Sequence, residues 1–326
     1  MLKGVALITG GAGFIGSHLA DRLAQLDGIE RVIVLDDLSS GSLNNLSACS
    51  RTGKLVFVRG DIRDQALISR LIEEHGVNLI FHEAAIVGVP ISTRDPVGTN
   101  DVNVSGTLSI LMAALKADVE RLVMASSCVV YGEAKRFPIS EDEPPRPISP
   151  YGASKLAAEA YWMAFHETYD LKTVALRYFN VYGPRQRPGE YGGVISIFIS
   201  RVLAGQPPEI FGDGEQTRDF VHVSDVVEAN LLAAEKASAV GEVFNVGSGV
   251  ETSINRLAQM VLELTGRPDL KPVHGPPREG DIRRSWADIS KARRVLGYQP
   301  RVSLEEGLRQ LIERARASQE AWVKLK

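Results

Sequence analysis

Cysteine is nearly absent from this chain: two occur in 326 residues, Cys49 and Cys128. That excludes a disulfide framework and fits a reducing compartment. Neither sign of charge dominates, with 37 Lys and Arg against 40 Asp and Glu and a formal net charge of -3. So balanced a surface exerts no general pull on nucleic acid. No apolar run approaches the roughly 18 residues of a membrane helix. His and Cys nowhere fall at metal-ligand spacings, so no metal is expected. An apolar run begins at Gly4, which leaves no room for a signal peptide. These absences predict a cytoplasmic protein that partners neither membrane nor nucleic acid.

What is present is ordinary globular material, 44% hydrophobic and 24% charged. Short apolar strands are expected at 5–9, 31–36, 55–59, 79–82, 121–126 and 172–177. Amphipathic helices fit between them at 15–25, 64–74, 97–116 and 150–169. Such alternation predicts an α/β fold, a doubly wound parallel sheet covered on both faces. After Asn180 glycine and proline multiply, as in Gly183-Pro184, Pro207-Pro208 and Gly212-Asp213-Gly214. The expected division is a first domain over 1–179 and a smaller α/β lobe over 180–326, with some segments returning to the main sheet. Ser303 and Glu306 form a capping box before a C-terminal helix.

Gly10, Gly13 and Gly16 follow the first strand, and Phe14 and Ile15 open the helix behind it. Glycines so placed let the backbone approach a pyrophosphate at the helix N-terminus. Asp36 ends the second strand, where a carboxylate accepts the ribose hydroxyls of a dinucleotide. Asp37 follows, and no Lys or Arg stands close behind to receive a 2′-phosphate, so NAD is favoured over NADP. Asp61-Ile62 follows the third strand, where it meets the adenine or simply caps a helix.

Tyr151 and Lys155 lie four residues apart and share a helix face. A phenol titrates near pH 10, too high for a base at neutrality, and a neighbouring ammonium together with a cationic nicotinamide favours phenolate. Ser127 ends a strand at the sheet edge where open α/β sheets bind ligands. Its hydroxyl is placed to bridge a substrate oxygen and Tyr151. Glycine turn, serine, tyrosine and lysine together predict redox chemistry at an alcohol or ketone carbon.

Carried by TGGAGFIGSH (9–18), SSCVVYG (126–132), PYGASKLAAE (150–159), RYFNVYGPRQ (177–186), FGDGEQTRDFVHVSD (211–225) and REGDIRRSWADISKA (278–292), the chain resembles an extended short-chain dehydrogenase/reductase. Its nearest likeness is to the nucleotide-sugar 4-epimerases of the UDP-galactose 4-epimerase group. The resemblance implies a Rossmann domain binding NAD, a sugar-nucleotide lobe and a homodimer. It places Gly10, Gly13, Phe14, Ile15, Gly16, Asp36, Asp37, Asp61, Ile62, Ala84, Ala85, Asn103, Lys155 and Tyr178 on the cofactor. Ser127, Tyr151, Asn180, Val194, Phe211, Arg218, Arg278, Asp281 and Ser285 fall on the substrate. Phe211 packs the uracil there, Arg218 and Arg278 grip the diphosphate, and Asp281 binds the uridine ribose.

The implied reaction is epimerisation of a UDP-sugar through a 4-keto intermediate, without net redox. Cys128 and Val129 stand where related dehydratases and decarboxylases carry an acidic residue, and an uncharged pair cannot transfer that proton. Ser285 stands at a gate beside the sugar's C2 substituent. A small residue there leaves room for an N-acetyl group, which adds UDP-GlcNAc and UDP-GalNAc to UDP-Glc and UDP-Gal. Arg187 is a rival signal, because UDP-glucuronate epimerases often place an Arg nearby, although Glu190 would oppose a sugar carboxylate. A dTDP-sugar, a nucleotide-sugar reductase or dehydrogenase with net hydride transfer, and a non-catalytic NAD-sensing protein are the other readings. Three departures stand out: Glu83 replaces an apolar residue near the nicotinamide path, Val87 a polar one near the diphosphate, and Gly193 an Asn on the phosphates. Glu83 is expected to find a partner or solvent, since a buried unpaired carboxylate is costly.

Overall fold

The computed structural model describes residues 1–186, 193–278 and 280–324, with side chains as far as residue 317. Strands β1 (Gly4–Thr9), β2 (Ile29–Asp36), β3 (Leu55–Arg59), β4 (Val77–His82), β5 (Arg121–Ser127) and β6 (Thr173–Tyr178) begin and end within two residues of expectation. The helices among them are α1 (Phe14–Ala24), α2 (Ser47–Ser50), α3 (Gln65–His75), α4 (Val89–Arg94), α5 (Pro96–Asn100), α6 (Gly106–Lys116) and α7 (Pro150–Tyr169).

The expected helix over 97–116 is not continuous. Between α5 and α6 the chain makes a π turn, Asp101–Ser105. That wider turn carries Asn103, whose side chain accepts from the Ile86 N–H at 2.8 Å and donates to the Ile86 carbonyl and the Ser154 hydroxyl, each at 3.0 Å. These long-range bonds are of a kind local periodicity does not encode. Helix α7 runs where expected because its signals are local. Pro150 opens it and the Ser149 side chain accepts from the Gly152 N–H at 3.1 Å. The cap of α3 belongs to Asp64, which accepts from Leu67, and not to Asp61.

Beyond residue 179 come β7 (Asn180–Tyr182), α8 (Val194–Leu203), β8 (Glu209–Phe211), β9 (Thr217–Arg218), β10 (Phe220–His222), α9 (Val223–Glu235), β11 (Glu242–Val246), β12 (Thr252–Ser253), α10 (Ile254–Thr265), β13 (Val273–Gly275), α11 (Ser290–Leu296) and α12 (Leu304–Lys324). Seven strands form one parallel sheet in the order β11-β6-β5-β4-β1-β2-β3. Strand β11 and helix α9, both from this later stretch, join that sheet: β11 pairs with β6 and α9 packs on α1. One core lies on the sheet face under α1 and α9, and a second under α3, α6 and α7, where Trp162 is fully buried. A third holds α8, α10 and α12 together through Phe198, Leu257, Val261 and Leu308. Each such side chain contributes about 1.5–3 kcal/mol by leaving water. Three small pairings complete the later stretch, β7 with β10, β8 with β13 and β9 with β12, and β7 follows directly on β6.

Candidate active site

The site runs along the C-terminal edge of the large sheet. Beyond β1 the chain turns through Gly10 at φ +69°. A Cβ there would lie 2.7 Å from the Ala84 backbone nitrogen, and one at Gly16 would strike the Gly10 carbonyl. Only glycine fits, so the turn, the Ala84–Ala85 stretch and α1 close on a bare cradle. Gly13 caps α1 without a side-chain bond, which leaves the N–H groups of Phe14 and Ile15 to meet an anion. Buried Asp36 reaches into the same turn, accepting from Ala12 N–H at 2.9 Å and Leu38 N–H at 2.8 Å. Burial raises its pKa while these two bonds work against the rise. Both oxygens retain acceptor capacity for ribose hydroxyls. A bare glycine cradle closed by a carboxylate fits the adenosine diphosphate half of NAD.

The remaining predicted cofactor residues follow the edge outward. Asp37 is exposed and accepts from the Ser39 N–H and hydroxyl. Arg63 holds Asp61, at 2.6 Å, and reaches Asp101 at the same distance, which keeps the Asp61 carboxyl below the usual carboxylate range. Ile62 is buried beside them. Asn103 fastens Ile86, just beyond Ala84 and Ala85, to α7. Val87 is exposed.

The reactive groups converge at the ends of β5 and β6. Ser127 lies close enough to the Tyr151 phenol to act on it, and the Tyr151 N–H donates to Ser92 Oγ at 3.0 Å, fixing the start of α7. Lys155, one turn along, donates from Nζ to the Ala125 carbonyl at 2.8 Å. Burial pushes the Tyr151 phenol up to about 12, with Ser127 opposing and Cys128 adding to the rise. Lys155 is not among the groups acting on this phenol, whose shift burial dominates. Burial brings Lys155 down to about 8, and the charge opposing that fall is Glu83. Glu83 finds the partner expected of it, accepting from the Tyr178 hydroxyl at 2.8 Å.

Across this edge lie the substrate-side residues. Asn180 and Val194 line a cavity with Tyr182, Gln186, Gly193 and Phe220. The Arg278 guanidinium lies over the Phe211 ring at 4.0 Å, a cation–π pair. Arg218 binds the Asp281 carboxylate and donates to the Ile282 carbonyl at 2.7 Å. Ser285 is 5% exposed and lies close enough to the Cys128 thiol, next to Ser127, to act on it. The structure thus pairs Phe211 with Arg278 and Arg218 with Asp281, and sets Ser285 beside Cys128. Arg187 and Glu190 lie outside the described residues.

Two supporting residues escaped the sequence reading. Ser92 belongs to no motif. Asp219 lies within a quoted one, but its work is done by folding. It accepts from Ser248, Gly249 and Ala287, and so draws the 281–287 stretch against β9. Among the described residues no His, Cys, Asp and Glu group is arranged to hold a metal ion, and no helix is long and apolar enough to cross a membrane.

A family profile described as "NAD dependent epimerase/dehydratase family" matches residues 6–247. The UDP-glucose 4-epimerase of Mycolicibacterium smegmatis is 46% identical over 308 residues, 94% of this chain and 97% of that one. A UDP-glucose 4-epimerase of Thermotoga maritima, solved with UDP-glucose, superposes with a TM-score of 0.91 at 45% identity, covering 96% of this chain and 99% of that one. A UDP-N-acetylglucosamine 4-epimerase of Methanobrevibacter ruminantium, solved with UDP-N-acetylmuramic acid, reaches the same TM-score at 37% identity, covering 98% of this chain and all of the other.

Proposed function

The chain belongs to the NAD dependent epimerase/dehydratase family, and from that premise we propose that it inverts C4 of a UDP-sugar. The glucose and galactose forms and their N-acetylamino counterparts are the proposed substrates. The observation that carries this reading is that α7 sets Tyr151 and Lys155 at the end of β5, where Ser127 lies, with Lys155 fastened to the Ala125 carbonyl.

The Tyr151 oxygen takes the proton of the sugar 4-hydroxyl, with Ser127 bridging the two oxygens. When bound, NAD supplies a hydride acceptor that returns what it takes, so no net redox occurs. Lys155, on the same face of α7 as Tyr151, holds the nicotinamide ribose. The cationic ring of the bound cofactor would offset the burial that raises the Tyr151 phenol. Phe211 and Arg278 hold the uridine diphosphate end, with Arg218 and Asp281 beside them. The sugar is then the part free to turn over and present its other face. Ser285 ends in a hydroxyl where a bulky residue would close the C2 side, which supports acceptance of an N-acetyl group.

Two further readings belong with this one. Exposed Val97, Met112 and Tyr161, at 78%, 40% and 44%, form part of a surface we assign to a second copy of the chain. Light scattering in solution checks it, and a monomer at micromolar concentration would remove it. The free cysteines support a reducing, cytoplasmic setting.

The test of the activity is incubation with NAD and, separately, UDP-Glc, UDP-GlcNAc and UDP-GlcA, read by proton NMR at the anomeric signals. The expected result is the galacto epimer from the first two, without build-up of NADH. Build-up of NADH matched to loss of sugar would mean a dehydrogenase, and no product from any would refute the reading.

A further inference from the structure

Glu83 follows the last residue of β4, midway along the edge that carries the site. Its backbone lies against the Gly10 turn, with its carbonyl carbon 3.0 Å from where a Gly10 Cβ would stand. Its side chain passes the end of β5 to the Tyr178 hydroxyl at the end of β6, at 2.8 Å. Asn230 on α9 donates to the same Tyr178 oxygen at 2.7 Å, which leaves the tyrosine proton for Glu83. Glu83 therefore bridges the two ends of the cofactor path, the glycine cradle on one side and Tyr178 with Lys155 on the other.

A carboxylate in that place acts on charge. Oxidised nicotinamide is a cation and the reduced ring is neutral. Lys155, also cationic, repels the first and is indifferent to the second. We propose that Glu83 sets the oxidation state the site prefers, its carboxylate offsetting Lys155 so that NAD⁺ is held in preference to NADH. The inference rests on NAD being the cofactor of this site. It bears on an epimerase directly, since an enzyme that kept NADH after losing its keto sugar would be trapped in the wrong state.

The titratable groups around Glu83 are Lys155 from α7, Tyr178 from β6 and His82 from its own strand; Asn230 from α9 is uncharged. Burial brings His82 down to about 3, with Lys155 adding to the fall, and burial and Glu83 hold the Tyr178 phenol well above its ordinary value. Neither changes charge near neutrality. Burial lifts Glu83 to about 7, against its bond to Tyr178 and the Lys155 charge. Its influence accordingly grows as pH rises through that value. Lys155 loses its proton near 8, and this later change also favours NAD⁺.

The test needs no sugar, so its failure is distinct from failure of the epimerase reading. Wild type and Glu83→Gln are equilibrated with an equimolar mixture of NAD⁺ and NADH, passed through rapid gel filtration, and the two forms released and counted. Loss of one charge that acts on Lys155 is expected to shift the ratio about tenfold toward NADH in the variant, the size of a one-unit change in a coupled equilibrium. The wild-type and variant ratios are expected to converge well below pH 7, where Glu83 is protonated, and to part toward NAD⁺ in the wild type as pH rises through 7, while the Lys155 change in the variant, no longer opposed by Glu83, moves below 8. An unshifted ratio in Glu83→Gln would overturn the proposal. Should that variant not fold, a wild-type ratio flat through pH 7 overturns it equally.

Discussion

Replacing Arg177 by Met tests whether one buried ion pair holds the reactive strands in register. Arg177, on β6 next to Tyr178, binds Glu159 of α7 through Nη2 at 2.5 Å and Nε at 3.0 Å. Glu159 lies one turn beyond Lys155 and also accepts from Ser126 Oγ at 2.6 Å, next to Ser127. The two side chains are 6% and 4% exposed. Burial works against the guanidinium charge, yet Glu159 raises the Arg177 pKa overall. Arg177→Met leaves Glu159 buried with Ser126 as its donor, at a cost of about 3–5 kcal/mol. That is a large share of the roughly 5–15 kcal/mol that folded proteins possess. Glu159→Leu strands the guanidinium at a similar cost. The double variant removes both charges. Its loss reduces to the Tyr131 and Ser126 hydroxyls left short of a partner, about 1 kcal/mol each. A double-mutant cycle from urea midpoints at constant slope should therefore give a coupling of about 3 kcal/mol or more. Additive losses would refute the argument.

Tyr151→Phe is expected to lower turnover by about 10²–10⁴-fold, the usual share of a positioned proton-transfer group, with NAD binding measured by fluorescence unchanged; near-wild-type turnover would exclude Tyr151 as the base. Ser285→Tyr should reduce kcat/KM for UDP-GlcNAc at least about tenfold more than for UDP-Glc, as expected where a side chain fills the space of a substituent; equal losses would exclude the gate. His82 is held neutral between Thr9 Oγ1 at 2.7 Å and Thr107 Oγ1 at 2.9 Å. Its folded pKa of about 3 lies below the ordinary 6.5, so the stability it allows is complete above about pH 6.5 and is lost as pH falls toward 3. His82→Gln should flatten that loss by about 3–4 kcal/mol in urea unfolding across the range, and parallel curves for the two proteins would contradict it.

The first six strands were legible because parallel strands buried on both faces are short apolar runs, and α7 because Pro150 and Ser149 announce its start. The helix over 97–116 was misread because apolar spacing does not separate an α turn from the π turn fixed by Asn103 through Ile86 and Ser154. Candidate site residues were legible one at a time. Their pairings were not: Arg218 with Asp281 and Phe211 with Arg278 each join distant segments through the fold alone. Glu83 stood out by residue type, but its reach to Tyr178 depends on the strand order that sets β4 and β6 on either side of β5.

The return of β11 to the sheet has a consequence for synthesis. When the ribosome has finished β6, six parallel strands and the tyrosine and lysine of the site already exist. The outer edge of β6 then has an unpaired row of N–H and C=O groups. Its partner at Glu242–Val246 is made only after β7, α8, β8, β9, β10 and α9. Until then the nascent chain carries an open strand edge of the kind that invites pairing with a neighbour. Helix α9, which covers α1, is equally late. A fragment cut after residue 179 would keep that defect permanently, so the cofactor-binding half cannot be severed from the C-terminal lobe without exposing a sticky edge.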